Sequence, residues 1–190
     1  MTKRIIVGIS GSSAPIYGVR FLEVLSEISS IETHLVISQS AETTLQLELP
    51  KWNRKKVEAL ATYSYQPHNL AASISSGSFI THGMVVIPCS MKTLATIAHS
   101  IGEDLLTRAA DVTLKEGRTL IVVPRETPFH LGHLRNMVAI AEMGGKILPP
   151  IPAFYHQPRT IDDLINHTIG KVLDLLGIQH RLFHRWKGKG

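Results

Sequence analysis

Apolar runs bounded by turn residues alternate along the chain with stretches whose apolar positions recur every three or four residues. Residues 4–9 form the first run. It leads through Ser10, Gly11, Ser12 and Ser13 to a helix opened by Pro15, in which Val19, Leu22 and Leu25 recur at helical spacing. A second run over residues 31–37 ends in Ser38 and precedes a helix over residues 41–48. Residues 50–78 carry a weaker signal: a basic cluster (Lys51, Arg54, Lys55, Lys56), a short helical stretch over residues 57–61 and a Ser/Gly run at residues 73–78. Residues 83–88 are continuously apolar, as in a fully buried central strand. Helices over residues 91–99 and 103–116 follow, then a strand over residues 119–123, a helix opened by Pro128, a short strand over residues 146–148 and a last helix over residues 161–176. Strands alternating with helices predict an α/β protein: a doubly wound, mainly parallel sheet with helices on both faces, Rossmann-like or flavodoxin-like. With no internal repeat and no linker, one domain over residues 1–190 is expected, its core spanning about residues 4–176 and a tail residues 177–190.

Composition sharpens this picture. The 190 residues, 44% of them hydrophobic, are enough for a sizeable core, and a mean hydropathy of +0.10 implies apolar surface buried between subunits as well. No apolar stretch is long enough for a membrane span and no signal-peptide pattern precedes the first strand, so a cytoplasmic enzyme is expected. Cys89 is the only cysteine, which excludes an intrachain disulfide and a multi-cysteine metal site. The net charge of +5 sits partly in a late basic segment, with Arg181, Arg185, Lys187 and Lys189 beside His180 and His184. Little aromatic interleaving beyond Phe183 and Trp186 argues against a nucleic-acid surface and for a solvated terminus or a phosphate-facing flap.

In open α/β sheets ligands sit beyond the carboxyl ends of the strands. Those ends here read Ser10 to Ser13, Ser38, Cys89 to Thr93, and Arg125-Glu126-Thr127. A Gly/Ser turn before a helix offers backbone N–H groups, hydroxyls and the positive helix end to a phosphate, although an ordinary tight βα turn would use the same residues. A dinucleotide fingerprint is missing: the spacing is Gly8-x-x-Gly11 and the second strand ends in Ser38 rather than an acidic residue. A Walker loop and a nucleophile elbow are missing too, leaving a mononucleotide as the expected ligand. Packing is the expected role of Cys89, and His130 with His133 lack the further ligand a metal would need.

The motifs Gly8-Ile-Ser-Gly-x-Ser13, Ser38, Pro88-Cys-Ser-x-Lys-Thr93, Arg108-Ala-Ala-Asp-Val-x-Leu-Lys115-Glu116, Arg125-Glu126-Thr-Pro128 and Phe154-Tyr155-His-Gln-Pro158 together resemble the UbiX-type flavin prenyltransferases over nearly the whole chain. The resemblance implies transfer of a dimethylallyl group from dimethylallyl phosphate to reduced FMN, closing a ring across N5 and C6. The product would serve a UbiD-type decarboxylase, often in ubiquinone synthesis. It implies that Gly11, Ser12, Ser13, Ser38, Ser90, Met91, Lys92, Thr93 and Arg125 hold FMN. Arg108, Lys115, Arg125, Tyr155, Lys171 and Trp186 would hold the prenyl donor, and Glu126, Glu48, Ser13 and Lys115 would form the catalytic group. It further implies a homododecamer whose sites combine neighbouring subunits. The chain departs from the family at Ala14-Pro15, where glycine and a small residue are usual, and at Lys171, where arginine is common.

Cleaving an allylic carbon–oxygen bond leaves cationic character on the prenyl fragment and charge on the phosphate. Lys115 and Arg125 suit the phosphate, an electron-rich reduced flavin suits the cation, and a monophosphate donor with no Asp-rich motif needs no magnesium. Glu126 is the first candidate base for the flavin C6 proton, the phosphate a rival. Two other readings remain: an FMN-dependent peptidyl-cysteine decarboxylase, and a non-catalytic FMN carrier.

Overall fold

The computed structural model describes residues 2–186 and residue 188; Lys187 and Lys189 of the basic segment lie outside the described residues. Six strands, β1 (Lys3–Ile9), β2 (Ile31–Ile37), β3 (Tyr63–Tyr65), β4 (Gly83–Cys89), β5 (Thr119–Pro124) and β6 (Lys146–Ile147), form one sheet in the order β3-β2-β1-β4-β5-β6. Every pairing is parallel, so the expected sheet is wholly rather than mainly parallel. The order reverses between β1 and β4, as in Rossmann sheets.

Alternation along β1 divides the core. Ile5, Val7 and Ile9 face α1 (Ile16–Ser26), α2 (Gln39–Glu48), α3 (Arg54–Glu58) and α7 (Ile161–Leu175), while Ile6, with Met84 and Val86, faces α4 (Met91–Ala98), α5 (Leu105–Lys115) and α6 (Leu131–Glu142). Strand β4 is buried at every position, as its unbroken apolar run requires. Polar caps start the helices: Ser38 and Ser90 directly after β2 and β4, and Asp104 and Thr160 after loops, each accept a backbone N–H of the first turn, the last two in capping boxes.

Three elements differ from expectation. The sequence pattern gives no β3, because this edge strand has three residues and only Tyr65 is half-buried, leaving no apolar run to detect. The short helix lies at Arg54–Glu58 rather than 57–61, since Asn53 caps it through the Lys56 N–H. Pro128 does not open α6, which begins at Leu131 after the His130 ring Nδ1 accepts the Gly132 N–H at 3.0 Å.

The tail, expected to be solvated or to act as a flap, folds back along α7. Asp174 receives Nη1 of Arg185 at 3.1 Å and lies 3.1 Å from Nε2 of His180; the Arg185 guanidinium holds its carboxyl below the usual carboxylate range, with His180 adding to the effect. Gly170 makes room for this segment: a Cβ there would lie 2.4 Å from the Phe183 ring. Gly170→Ala should therefore leave α7 intact and displace the tail. Trypsin should cut faster after Arg181 and Arg185, with the thermal midpoint moving by no more than about 4 °C.

Candidate active site

The strand ends gather the first group of candidates. The turn after β1 lies at the reversal of strand order, the crevice where ligands of such sheets sit. Ser10 is 1% exposed; its hydroxyl donates to the Pro88 carbonyl at 3.1 Å and accepts the Ser90 N–H at 2.7 Å. Ser12 donates its hydroxyl to the Arg125 carbonyl at 2.9 Å and its N–H to the Ser10 carbonyl at 2.8 Å. These two hydroxyls, of the kind expected to face a phosphate, tie the turn to the loops after β4 and β5. The Ser13 hydroxyl and the N–H groups of Gly11 and Ser13 have no partner among the described residues and remain available as donors.

Gly11 admits no side chain, since a Cβ would lie 2.3 Å from Oγ of Ser40 and 2.9 Å from its carbonyl carbon. On the far side of the turn, Oε2 of Glu48 accepts the Ala14 N–H at 2.7 Å. Ala14 has φ +66°, so the backbone keeps a glycine-type conformation at the position where this chain carries alanine.

The N-termini of α2 and α4 flank the crevice. Ser38 Oγ accepts the Ala41 N–H at 3.2 Å; Ser90 Oγ accepts the Thr93 N–H at 3.2 Å and donates to Thr93 Oγ1 at 3.0 Å. The half-buried Met91 and exposed Lys92 occupy the first turn of α4, where an anion meets unpaired N–H groups and the positive helix end. Arg125 follows β5 with its N–H on the Cys89 carbonyl at 3.1 Å, and the exposed Glu126 accepts the Thr127 N–H at 2.9 Å. A cavity of about 630 Å³ opens beside these ends, lined in part by Ser40, Thr43, His68 and Asp104, which the sequence reading did not select. The pattern placed Asp104 inside a helix over residues 103–116 rather than at its cap; Ser40 and Thr43 belong to the first turns of α2, and His68 lies in the segment that the pattern left weakly defined. Cys89 is buried, its thiol pushed up by that burial and turned to the Ser90 carbonyl, which suits packing and not nucleophilic attack.

The remaining candidates lie elsewhere on the protomer. Tyr155, Lys171 and Trp186 gather on the outer side of α7: the rings of Tyr155 and Trp186 meet edge-on at 6.3 Å, and Tyr155 bonds His167, one turn before Lys171. Lys171 Nζ lies 3.9 Å from Asp174. Arg108 and Lys115 sit on α5, Arg108 paired with Asp111 at 2.8 Å and Lys115 with Glu116. Helix α5 starts at the strand ends, where the Leu105 N–H meets the Pro67 carbonyl, and descends for 11 residues, about 16 Å. Lys115 thus stands at the opposite edge of the sheet from Ser13 and Glu126. No hydrogen bond, ion pair or ring contact joins these three groups among the described residues.

A Gly/Ser turn at the switch point of a 3-2-1-4-5-6 parallel sheet, with two capped helix ends beside it, defines a mononucleotide-binding α/β protein. The sequence family described as Flavoprotein matches residues 1–173. The chain is 56% identical over 188 residues to flavin prenyltransferase UbiX of Salmonella typhimurium, covering 98% of this chain and 99% of that protein. Among solved structures it is similar to a dodecameric FMN-dependent UbiX-like decarboxylase from Escherichia coli O157:H7, with 50% identity, TM-score 0.95 and coverage of 97% and 100% of the two chains. It is likewise similar to AnUbiX in complex with FMN and dimethylallyl pyrophosphate, with 43% identity, TM-score 0.96 and coverage of 100% of both. The chain belongs to the UbiX-type flavin prenyltransferases. Peptidyl-cysteine decarboxylase EpiD, at 17% identity and TM-score 0.65 over 93% of this chain and 99% of that one, shares the fold alone.

Two substitutions in the turn should act oppositely. Gly11→Ala should weaken FMN binding about tenfold or more, because its methyl group must displace the Ser40 backbone, at a cost of about 1–3 kcal/mol; flavin fluorescence titration reads this directly. Ala14→Gly should relieve the left-handed backbone and stabilise the fold by up to about 1 kcal/mol in thermal unfolding, with FMN binding retained.

Proposed function

We propose that the protein transfers the dimethylallyl group of dimethylallyl phosphate to reduced FMN, joining it at N5 and C6, and that the product passes to a UbiD-type decarboxylase, with ubiquinone synthesis as the setting. The cradle around Gly11 carries this reading: its closed approach to Ser40, its unpaired N–H groups and the helix ends beside it suit a flavin phosphate and ribityl chain. Gly11, Ser12, Ser13, Ser38, Ser90, Met91, Lys92, Thr93 and Arg125 hold FMN, with Ser12 fixing the turn through the Arg125 carbonyl. When bound, reduced FMN supplies an electron-rich acceptor for the prenyl fragment.

Arg125 neutralises the departing phosphate from within the protomer. Lys115 and Arg108 on α5, and Tyr155, Lys171 and Trp186 along α7, serve the site of a neighbouring copy, because Lys115 stands at the opposite edge of the sheet and neither set makes a hydrogen bond, ion pair or ring contact with the strand-end candidates among the described residues. The dodecameric assembly of the 50% identical relative supports that arrangement, and a homododecamer of this chain is the state it implies. Cations and a phenol meeting the phosphate in a dry interface act more strongly than they would in water. Lys171 contributes a point charge where a guanidinium would make a fork. Glu48 holds the turn at Ala14, and Glu126, exposed at the crevice, takes the proton released at C6.

Anaerobic incubation with reduced FMN and dimethylallyl phosphate, without added metal, should yield a flavin heavier by one five-carbon unit on mass spectrometry. A parallel run with the pyrophosphate reports which donor is used. An unchanged flavin that co-purifies would instead support the carrier reading. Glu126→Gln should lower the rate of ring-closed product by about 10²-fold with FMN binding unchanged; an unaltered rate would remove Glu126 as the base.

A further inference from the structure

Tyr155 presents its phenol from a half-open position, 46% exposed, with the oxygen 3.0 Å from Nε2 of His167. His167 is only 7% exposed and its ring is walled on both sides. The His156 ring lies parallel to it at 4.7 Å and 7°, Phe183 covers it at 4.7 Å, and the Tyr155 ring meets it edge-on at 5.5 Å. Phe183 is the same side chain that the gap at Gly170 admits, so the folded-back tail completes the wall.

Burial above all, with the nearby Lys171 charge adding to it, lowers the His167 pKa below the ordinary histidine value, which favours the neutral ring with one N–H. Nδ1 has no partner among the described residues, whereas Nε2 has the phenol oxygen. The tautomer that carries its proton on Nε2 pairs that N–H with the phenol oxygen. The phenol then accepts from His167, and its own O–H is released toward whatever lies on its exposed side. With the opposite polarity, the O–H would be consumed by the imidazole and Tyr155 could offer a phosphate nothing.

We propose that His167 is a positioning residue for prenyl transfer, its Nε2–H holding the phenol oxygen of Tyr155 so that the phenol O–H is aimed at the phosphate of the prenyl donor. The proposal rests on the reading of Tyr155 as a ligand of that phosphate.

The test is a double-mutant cycle on the assembled enzyme, with KM for dimethylallyl phosphate, kcat and FMN affinity measured for Tyr155→Phe, His167→Leu and the pair. Each single variant should raise donor KM about tenfold, the loss expected for one hydrogen bond to a charged group, with FMN affinity unchanged. The pair should be no worse than Tyr155→Phe alone. His167→Gln, whose amide N–H can stand near the Nε2 position, should restore donor KM to within about threefold of the parent. If His167→Leu does not assemble, His167→Asn, whose amide falls short of Tyr155, replaces it. Additive losses in the pair, a glutamine variant as poor as the leucine one, or no effect of His167→Leu while Tyr155→Phe is impaired would each overturn the role of His167. An unaffected Tyr155→Phe would overturn the reading of Tyr155 itself, and the proposal with it.

Discussion

The hydroxyl of Ser10 joins strand ends that chain connectivity keeps far apart. By donating to the Pro88 carbonyl and accepting the Ser90 N–H, it fixes the turn after β1 against the start of α4, across the point where the strand order reverses. Ser12 repeats the tie to the loop after β5 through the Arg125 carbonyl. The turn is thereby held in one shape by the loops after β4 and β5, and the remaining donors, at Gly11 and Ser13, are oriented before any ligand arrives. Such preorganisation is what lets backbone N–H groups and helix ends act strongly on an anion. It also explains how alanine persists at φ +66° in Ala14: the strain is of order 1 kcal/mol, and the Ala14 N–H to Glu48 bond with the flanking ties outweighs it.

A second constraint governs the assembly of the site. Lys115 at the end of α5 and the group of Tyr155, Lys171 and Trp186 along α7 lie apart from the strand ends of their own protomer, and the protomer leaves apolar side chains uncovered. Phe154 is 69% exposed and Ile151 likewise 69%, both in the segment that leads to Tyr155. On α6, Leu131, Leu134 and Val138 form an exposed stripe at helical spacing. Apolar surface of this extent is the physical form of the high mean hydropathy, and it suits burial between several copies of one chain.

The tail gains a structural reason from the same region. Asp174, Arg185 and His180 clamp it to α7, Gly170 gives Phe183 its seat, and Phe183 in turn closes the pocket around His167. Basic residues that read as a solvated end are thus partly spent on one carboxylate and partly on covering α7.

The sequence alone determined the alternation of strands and helices, the buried central strand and the turn chemistry at the strand ends, because each is written in local periodicity, caps and glycine placement. It also carried the family motifs that name the candidate residues. It could not reveal β3, whose exposed edge position leaves no apolar pattern, nor the start of α6, where a histidine cap took the place expected of Pro128. Only the tertiary structure decided that Ser10 and Ser12 tie the turn to the loops after β4 and β5, that Lys115 stands at the far edge of the sheet from Ser13, and that His167 lies under Tyr155. Those outcomes depend on which residues distant in the chain meet in space, and a hydroxyl or an imidazole looks the same in sequence whether its partner is a ligand, a carbonyl or another ring.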